Sequence, residues 1–196
     1  MLTKLTQNEY KVSFWSGGTT TQLAIYPSGA EYADRDFLWR VSSASVDADT
    51  SVFTPLPDYD RLIAPLSGSI ALTLEGEEPV KLDPLEVFAF DGGAAVKSEG
   101  RCTDFNLMLR KGSATGEMFS ASTEKKEKVF GVDLASRETA VFYVAKGRAE
   151  AICGAENEPL RAGETCIARA NWECSVRIRL APRTAVMIAV ITPGRE

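Results

Sequence analysis

Apolar and polar residues alternate along this chain in short runs, broken by Gly, Pro and acidic turns rather than carried by a helical period. A period of two sends successive side chains to opposite faces of a strand. It predicts strands over 11–15, 22–26, 37–46, 62–66, 69–74, 80–82, 86–90 and 105–109. After a weaker middle it predicts more over 139–145, 149–153, 165–168, 175–180 and 185–191. Strands this short at near-regular spacing point to an all-β fold of the sandwich or barrel kind.

Four blocks of this pattern, 15–23, 37–42, 59–62 and 104–108, set polar groups on faces expected to be buried. Arg40, Ser42 and Ala44 share one face while Trp39 and Val41 share the other. Asp104, Asn106 and Met108 alternate in the same way with Phe105, Leu107 and Leu109. Asp60 and Arg61 are neighbours, so only one of them enters a pocket, and Arg61 is the favoured one. A buried guanidinium or carboxylate is costly unless paired or met by a ligand. Such residues on adjacent strands form either an internal network or a binding site.

An internal repeat extends the picture. Residues 66–74 and 80–88 can be laid over 145–153 and 159–166, aligning Gly68 with Gly147 and Glu86 with Glu164. Both stretches read as strand, tight turn, short strand, acidic turn and strand, with Gly permitting the turn. The expected organisation is a first half over 1–112 holding the pocket, a connection over 113–138 and a second half over 139–196. The charge run from Glu124 to Lys128 reads as a solvated loop or face.

Composition narrows the partners. The chain has 196 residues, 44% hydrophobic and 25% charged, with 27 acidic against 22 basic side chains and a net charge of -5. An acidic balance argues against a broad footprint on nucleic acid or on an anionic membrane. No run of about 18 apolar residues is long enough for a spanning helix. The first residues show no signal-peptide pattern, so a cytoplasmic location is expected. Cys102, Cys153, Cys166 and Cys174 lack paired ligand spacing and read as reduced thiols. The chain has no histidine, which removes Ser-His and Cys-His catalysis and His-based metal sites. No metal and no cofactor are expected.

The blocks Gly18-x-Thr20-x-Gln22-Leu23 after Trp15, Phe37-Leu-Trp39-Arg40-Val-Ser42-x-Ala44, Asp60-Arg61 before Leu66-x-Gly68, and Asp104-Phe105-Asn106-Leu107-Met108 occur in one order. Together they resemble the HutD/Ves family, over the first 110 residues above all. The resemblance implies a double cupin, or bicupin: two small jelly-roll-like β barrels in one chain. Family members are associated with histidine utilisation or stress response in bacteria. No firm enzymatic activity defines them, and sensing of a small acidic intermediate has been proposed. Cupins often hold a metal with His and Glu, a ligand set this chain cannot form.

The expected ligand-binding set is Arg40, Ser42, Arg61, Asp104, Asn106, Thr20 and Gln22. Arg40 offers a planar fork for a carboxylate, or else pairs structurally with Asp104 or Asp60. Asp104 and Asn106 contact the ligand, or form a buried network of their own. Gly17, Gly18 and the threonines after them offer an anion nest or an ordinary hairpin turn. Trp15 and Trp39 read as core before ligand platform.

Three functions follow. The favoured one is a non-enzymatic bicupin binding a small anionic metabolite such as formylglutamate, formiminoglutamate or urocanate. The second is a metal-independent isomerase or hydrolase of a small acid, with Asp104 or Glu86 as base and Arg40 as stabiliser. The third is a structural or protein-interaction module whose arginines are internally paired. Edge strands of such a fold also leave a homodimer open.

Overall fold

The computed structural model describes residues 1–194 and is built almost wholly from strands. In chain order they are β1 (Leu2–Leu5), β2 (Lys11–Trp15), β3 (Gly18–Tyr26), β4 (Trp39–Val46), β5 (Thr50–Val52), β6 (Tyr59–Ser67) and β7 (Ile70–Leu74). Then come β8 (Val80–Leu82), β9 (Phe88–Asp91), β10 (Val96–Glu99), β11 (Cys102–Arg110), β12 (Ala114–Thr123) and β13 (Lys128–Leu134). The last six are β14 (Thr139–Lys146), β15 (Arg148–Cys153), β16 (Glu156–Arg161), β17 (Thr165–Arg169), β18 (Cys174–Leu180) and β19 (Thr184–Pro193). Among the described residues the only helical pieces are two 3-10 turns, at Gln7–Glu9 and Tyr32–Asp34.

The chain divides into two compact units, residues 10–115 and residues 1–9 with 116–196. The first holds a four-stranded sheet, β5-β10-β7-β8, and a six-stranded one, β2-β3-β4-β11-β6-β9. The second holds β13-β18-β15-β16 and β1-β17-β14-β19-β12. The order β5-β10-β7-β8 becomes β13-β18-β15-β16, and β4-β11-β6-β9 becomes β12-β19-β14-β17, strand for strand. The units differ by what is added at a sheet edge: the β2-β3 hairpin in one, β1 in the other.

Shared turn chemistry explains the shared order. Gly68 and Gly147 sit at φ 74° and 83°, left-handed values that favour glycine. A Cβ on Gly68 would lie 2.4 Å from the Arg101 carbonyl oxygen, and one on Gly147 2.4 Å from Thr184 Oγ1. In the acidic turns the Glu86 carboxylate accepts the Asp83 N–H at 2.8 Å, and the Glu164 carboxylate accepts the Arg161 N–H at 2.8 Å. The register of β6 on β11 shifts beside Leu66, and that of β14 on β19 shifts beside Ala145, at the same distance before the glycine.

Two boundaries differ from the sequence reading. Residues 113–138 are no connection, because they carry β12 and β13, the counterparts of β4 and β5. The buried side chains of β12 are Ala114, Met118, Ala121 and Thr123, irregularly spaced and mostly small, so the alternation is faint. The stretch 124–127 is the exposed turn between these strands. Residues 1–9 belong with the second unit, since β1 pairs with β17, a distant partner no local pattern announces.

Candidate functional site

The first unit's six-stranded sheet has both faces buried along its centre, but the faces differ. Val41, Phe105 and Leu107 make one largely apolar, with buried Ser43 opposite Phe105 donating its hydroxyl to the Asp104 carbonyl oxygen. The opposite face turns into the unit, and register aligns its side chains in rows, since residues directly opposite on paired strands share a face. Arg40, Met108, Arg61 and Phe90 form one row across β4, β11, β6 and β9. Gln22, Ser42, Asn106 and Ile63 form the next, and Thr20, Ala44, Asp104 and Pro65 the third. Asp60 points outward and is exposed while Arg61 is buried, as opposite faces require.

These rows line a cavity of about 310 Å³. Thr20, Arg40, Ser42, Arg61, Asp104 and Asn106 all reach it. Gln22 does not line it, but its Oε1 accepts from Arg40 Nε at 2.8 Å. A second donor, Arg40 Nη1, reaches Ser42 Oγ at 3.0 Å. Glu86, the alternative base, is absent from the wall; its carboxylate is spent on the Asp83 turn. Trp15 stands at the cavity, whereas Trp39 is buried and stacks on Tyr26 with centroids 5.8 Å apart. Gly18 is a point of close approach, since a Cβ there would lie 1.8 Å from the Ser45 carbonyl oxygen.

Sequence reasoning missed the aromatic supports. Arg40 lies over the Tyr32 ring at 4.4 Å, and Arg61 lies 4.8 Å from Phe53 and 5.2 Å from Phe90. Ring faces attract cations and fix the plane of each guanidinium. Tyr32 and Phe53 stand outside the strands, so alternation could not reveal them. Phe14 and Val52, on the edge strands β2 and β5, also line the cavity while remaining largely exposed.

The wall is electrostatically incomplete. Among the described residues neither Arg40 nor Arg61 forms an ion pair with a carboxylate. Arg61 Nε and Asn106 Oδ1 are buried with no hydrogen-bond partner. Burial pulls the Arg40 guanidinium down to about 10, so it stays charged at neutral pH. Burial lowers Arg61 too, an effect opposed by Tyr32 and Asp104. Burial pushes the Asp104 carboxyl up to about 7, against the opposing pull of Arg61 and a backbone hydrogen bond with Ala44. Burial, with Asp104 nearby, raises the Cys102 thiol to about 12, which makes it a poor nucleophile. Among the described residues no three Cys, Asp or Glu side chains gather to hold a metal ion.

Two jelly rolls of one strand order in a single chain define a bicupin. The chain belongs to the HutD family, whose model matches residues 7–187. The fold is similar to that of PA5104, a conserved protein of unknown function from Pseudomonas aeruginosa PAO1, at 20% identity and TM-score 0.83, covering 98% of this chain and 99% of that one. It is similar to HutD from Pseudomonas fluorescens SBW25 in its formate condition, at 21% identity and TM-score 0.76 over 100% of both chains. YhhW from Escherichia coli matches at 11% identity and TM-score 0.70, again over 100% of both. That protein is a pirin also solved in complex with nickel(II).

Proposed function

We propose that the first barrel binds a small carboxylate, without chemical conversion, through Arg40 and Arg61. The observation that carries this reading is the state of Arg61: a buried guanidinium, 7% exposed, with Nε unpartnered and no carboxylate closing on it. Leaving such a donor unmet is costly, whereas a planar carboxylate answers it with charge-assisted hydrogen bonds. Arg40, held by Gln22, Ser42 and Tyr32, supplies a second preoriented cation. Thr20, Ser42 and Asn106 add neutral donors and acceptors around the anion.

The ligands that fit the family's tie to histidine breakdown are formylglutamate, formiminoglutamate and urocanate, and the role is that of a sensor of such an intermediate. Thermal-shift and calorimetric screening of these three acids against neutral amide analogues tests it. At about 100 times its dissociation constant a ligand adds roughly 2.7 kcal/mol to stability. Arg40→Ala and Arg61→Ala should each remove most of that gain. A folded Arg40→Ala protein with unchanged affinity would move the anchor elsewhere.

The raised Asp104 carboxyl favours a second reading, in which Asp104 is a general base and Arg40 stabilises charge in a metal-independent reaction of the same acids. Proton NMR of each acid incubated with the protein in deuterated buffer separates the two. Binding alone leaves both the compound and its exchangeable C–H positions unchanged.

A further inference from the structure

We propose that Asp104 makes anion binding proton-dependent: neutral, it donates a hydrogen bond to the bound carboxylate and leaves Arg61 free, while ionised it claims Arg61 and repels the ligand. This rests on the carboxylate-binding reading of the cavity and adds its regulation.

The placement of the residue supports it. Asp104 lies buried on the cavity wall in the row with Thr20 and Ala44, and no ion pair neutralises it among the described residues. Its surroundings are settled element by element. From β6 comes Arg61, close enough to act electrostatically in both directions but short of an ion pair. From β4 come Ala44 and Ser42, both uncharged, and Arg40 two residues beyond Ser42. Cys102 stands two residues along β11, and its thiol stays protonated. Ser13, Thr20, Ser51 and Thr54 line the rest without charge, and Tyr32 reaches in beside Arg40.

With the carboxyl neutral, two guanidiniums face the cavity without an internal counter-ion. With it ionised, Arg61 has an internal partner and the cavity loses a positive charge. An arriving anion is a like charge to the ionised carboxyl, so it favours protonation further. A proton from solvent therefore enters with the anion at pH values where Asp104 was ionised in the empty site. Burial already holds the carboxyl at about 7, so the transition falls near neutrality.

The test uses N-formyl-L-glutamate, whose carboxylates are ionised throughout the range, titrated into the full-length protein by calorimetry from about pH 6 to about pH 8.5. Each pH is measured in two buffers of different ionisation heat. The expected result is uptake of about one proton per anion near pH 8 and a roughly tenfold loss of affinity per pH unit above the transition. Asp104→Asn should bind with no proton uptake and a flat pH profile. Binding that is pH-independent in the wild type, or proton uptake that persists in Asp104→Asn, overturns the proposal while leaving carboxylate binding intact. No binding at any pH overturns both. A carbon-13 NMR titration of the ligand-free protein is an independent check. An Asp104 carboxyl titrating near the ordinary value of about 4 sinks the proposal by itself.

Discussion

The two barrels are built to one plan, and what they put inside it is opposite. Counting back from the paired glycines, Arg61 of the first barrel occupies the place of Ala140 in the second. By the same register Asp104 stands where Val186 stands, Asn106 where Ile188 stands and Met108 where Val190 stands. All four second-barrel residues are buried in one apolar cluster with Phe142, Leu160 and Ile178. Turn and register devices thus fix the architecture, and the side chains on three inward rows decide whether it encloses a polar cavity or an apolar core. The first barrel keeps its own apolar cluster around Ile63, Leu72 and Val96, beyond the polar rows. A cavity lined this way forgoes hydrophobic burial and keeps Arg40, Arg61 and Asp104 buried, a cost that a bound counter-charge would offset.

The sharpest break of the comparison is a pair of substitutions. Phe142→Ala in the filled barrel should cost about 3–5 kcal/mol through a cavity, read by urea denaturation. Arg61→Met in the hollow barrel should stabilise the ligand-free protein by about 1–4 kcal/mol, since it removes a buried charge that has no ion-pair partner. A destabilised Arg61→Met would make that arginine a structural tie.

The second contrast is in pH. Asp104 binds its proton more tightly folded than unfolded, so between the ordinary Asp range near 4 and about 7 the folded state carries a proton that the unfolded state lacks. Stability contributed by that proton is complete below the window and is lost as pH rises through it, at about 1.4 kcal/mol per pH unit at most. Val186, its counterpart, cannot titrate. Denaturation curves of Asp104→Asn should therefore lose this slope, and curves of Val186→Ala should keep it.

The two glycines and the two glutamates test the shared plan. Gly68→Ala and Gly147→Ala should each cost on the order of 1–3 kcal/mol, because each forces a side chain into a left-handed turn against a close neighbour. Glu86→Gln and Glu164→Gln should each cost about 0.5–1.5 kcal/mol by weakening one turn hydrogen bond. Costs confined to one barrel would show that the equivalence stops at topology.

Much of this was legible in the sequence where strands are regular. Arg40 and Ser42 on β4, and Asp104 and Asn106 on β11, were placed together by a period of two, and the same rule separated Arg61 from Asp60. Gln22 obeys the rule, sharing the inward face with Thr20 opposite Ser42, but its amide is taken up by Arg40. It ends as a brace for Arg40 outside the wall, a role set by the reach of the guanidinium rather than by strand period. Tyr32 and Phe53 approach from outside the strands, where no period operates. β12 was faint because small Ala114, Ala121 and Thr123 hold three of its four buried positions, and β1 because its partner lies more than 150 residues away.

That first strand has a consequence for how the molecule can be made and cut. Since β1 completes the sheet edge at β17, the second barrel is discontinuous in the chain, and the whole of residues 10–115 is threaded between its first piece and the rest. The ribosome delivers β1 before β2 to β19, and it must wait unpaired until β17 has emerged, by which time the first barrel has all its strands. Excision is unequal for the same reason. A fragment spanning 10–115 carries every strand of its own barrel, whereas a fragment beginning at 116 leaves the edge of β17 bare, a template for pairing with another chain.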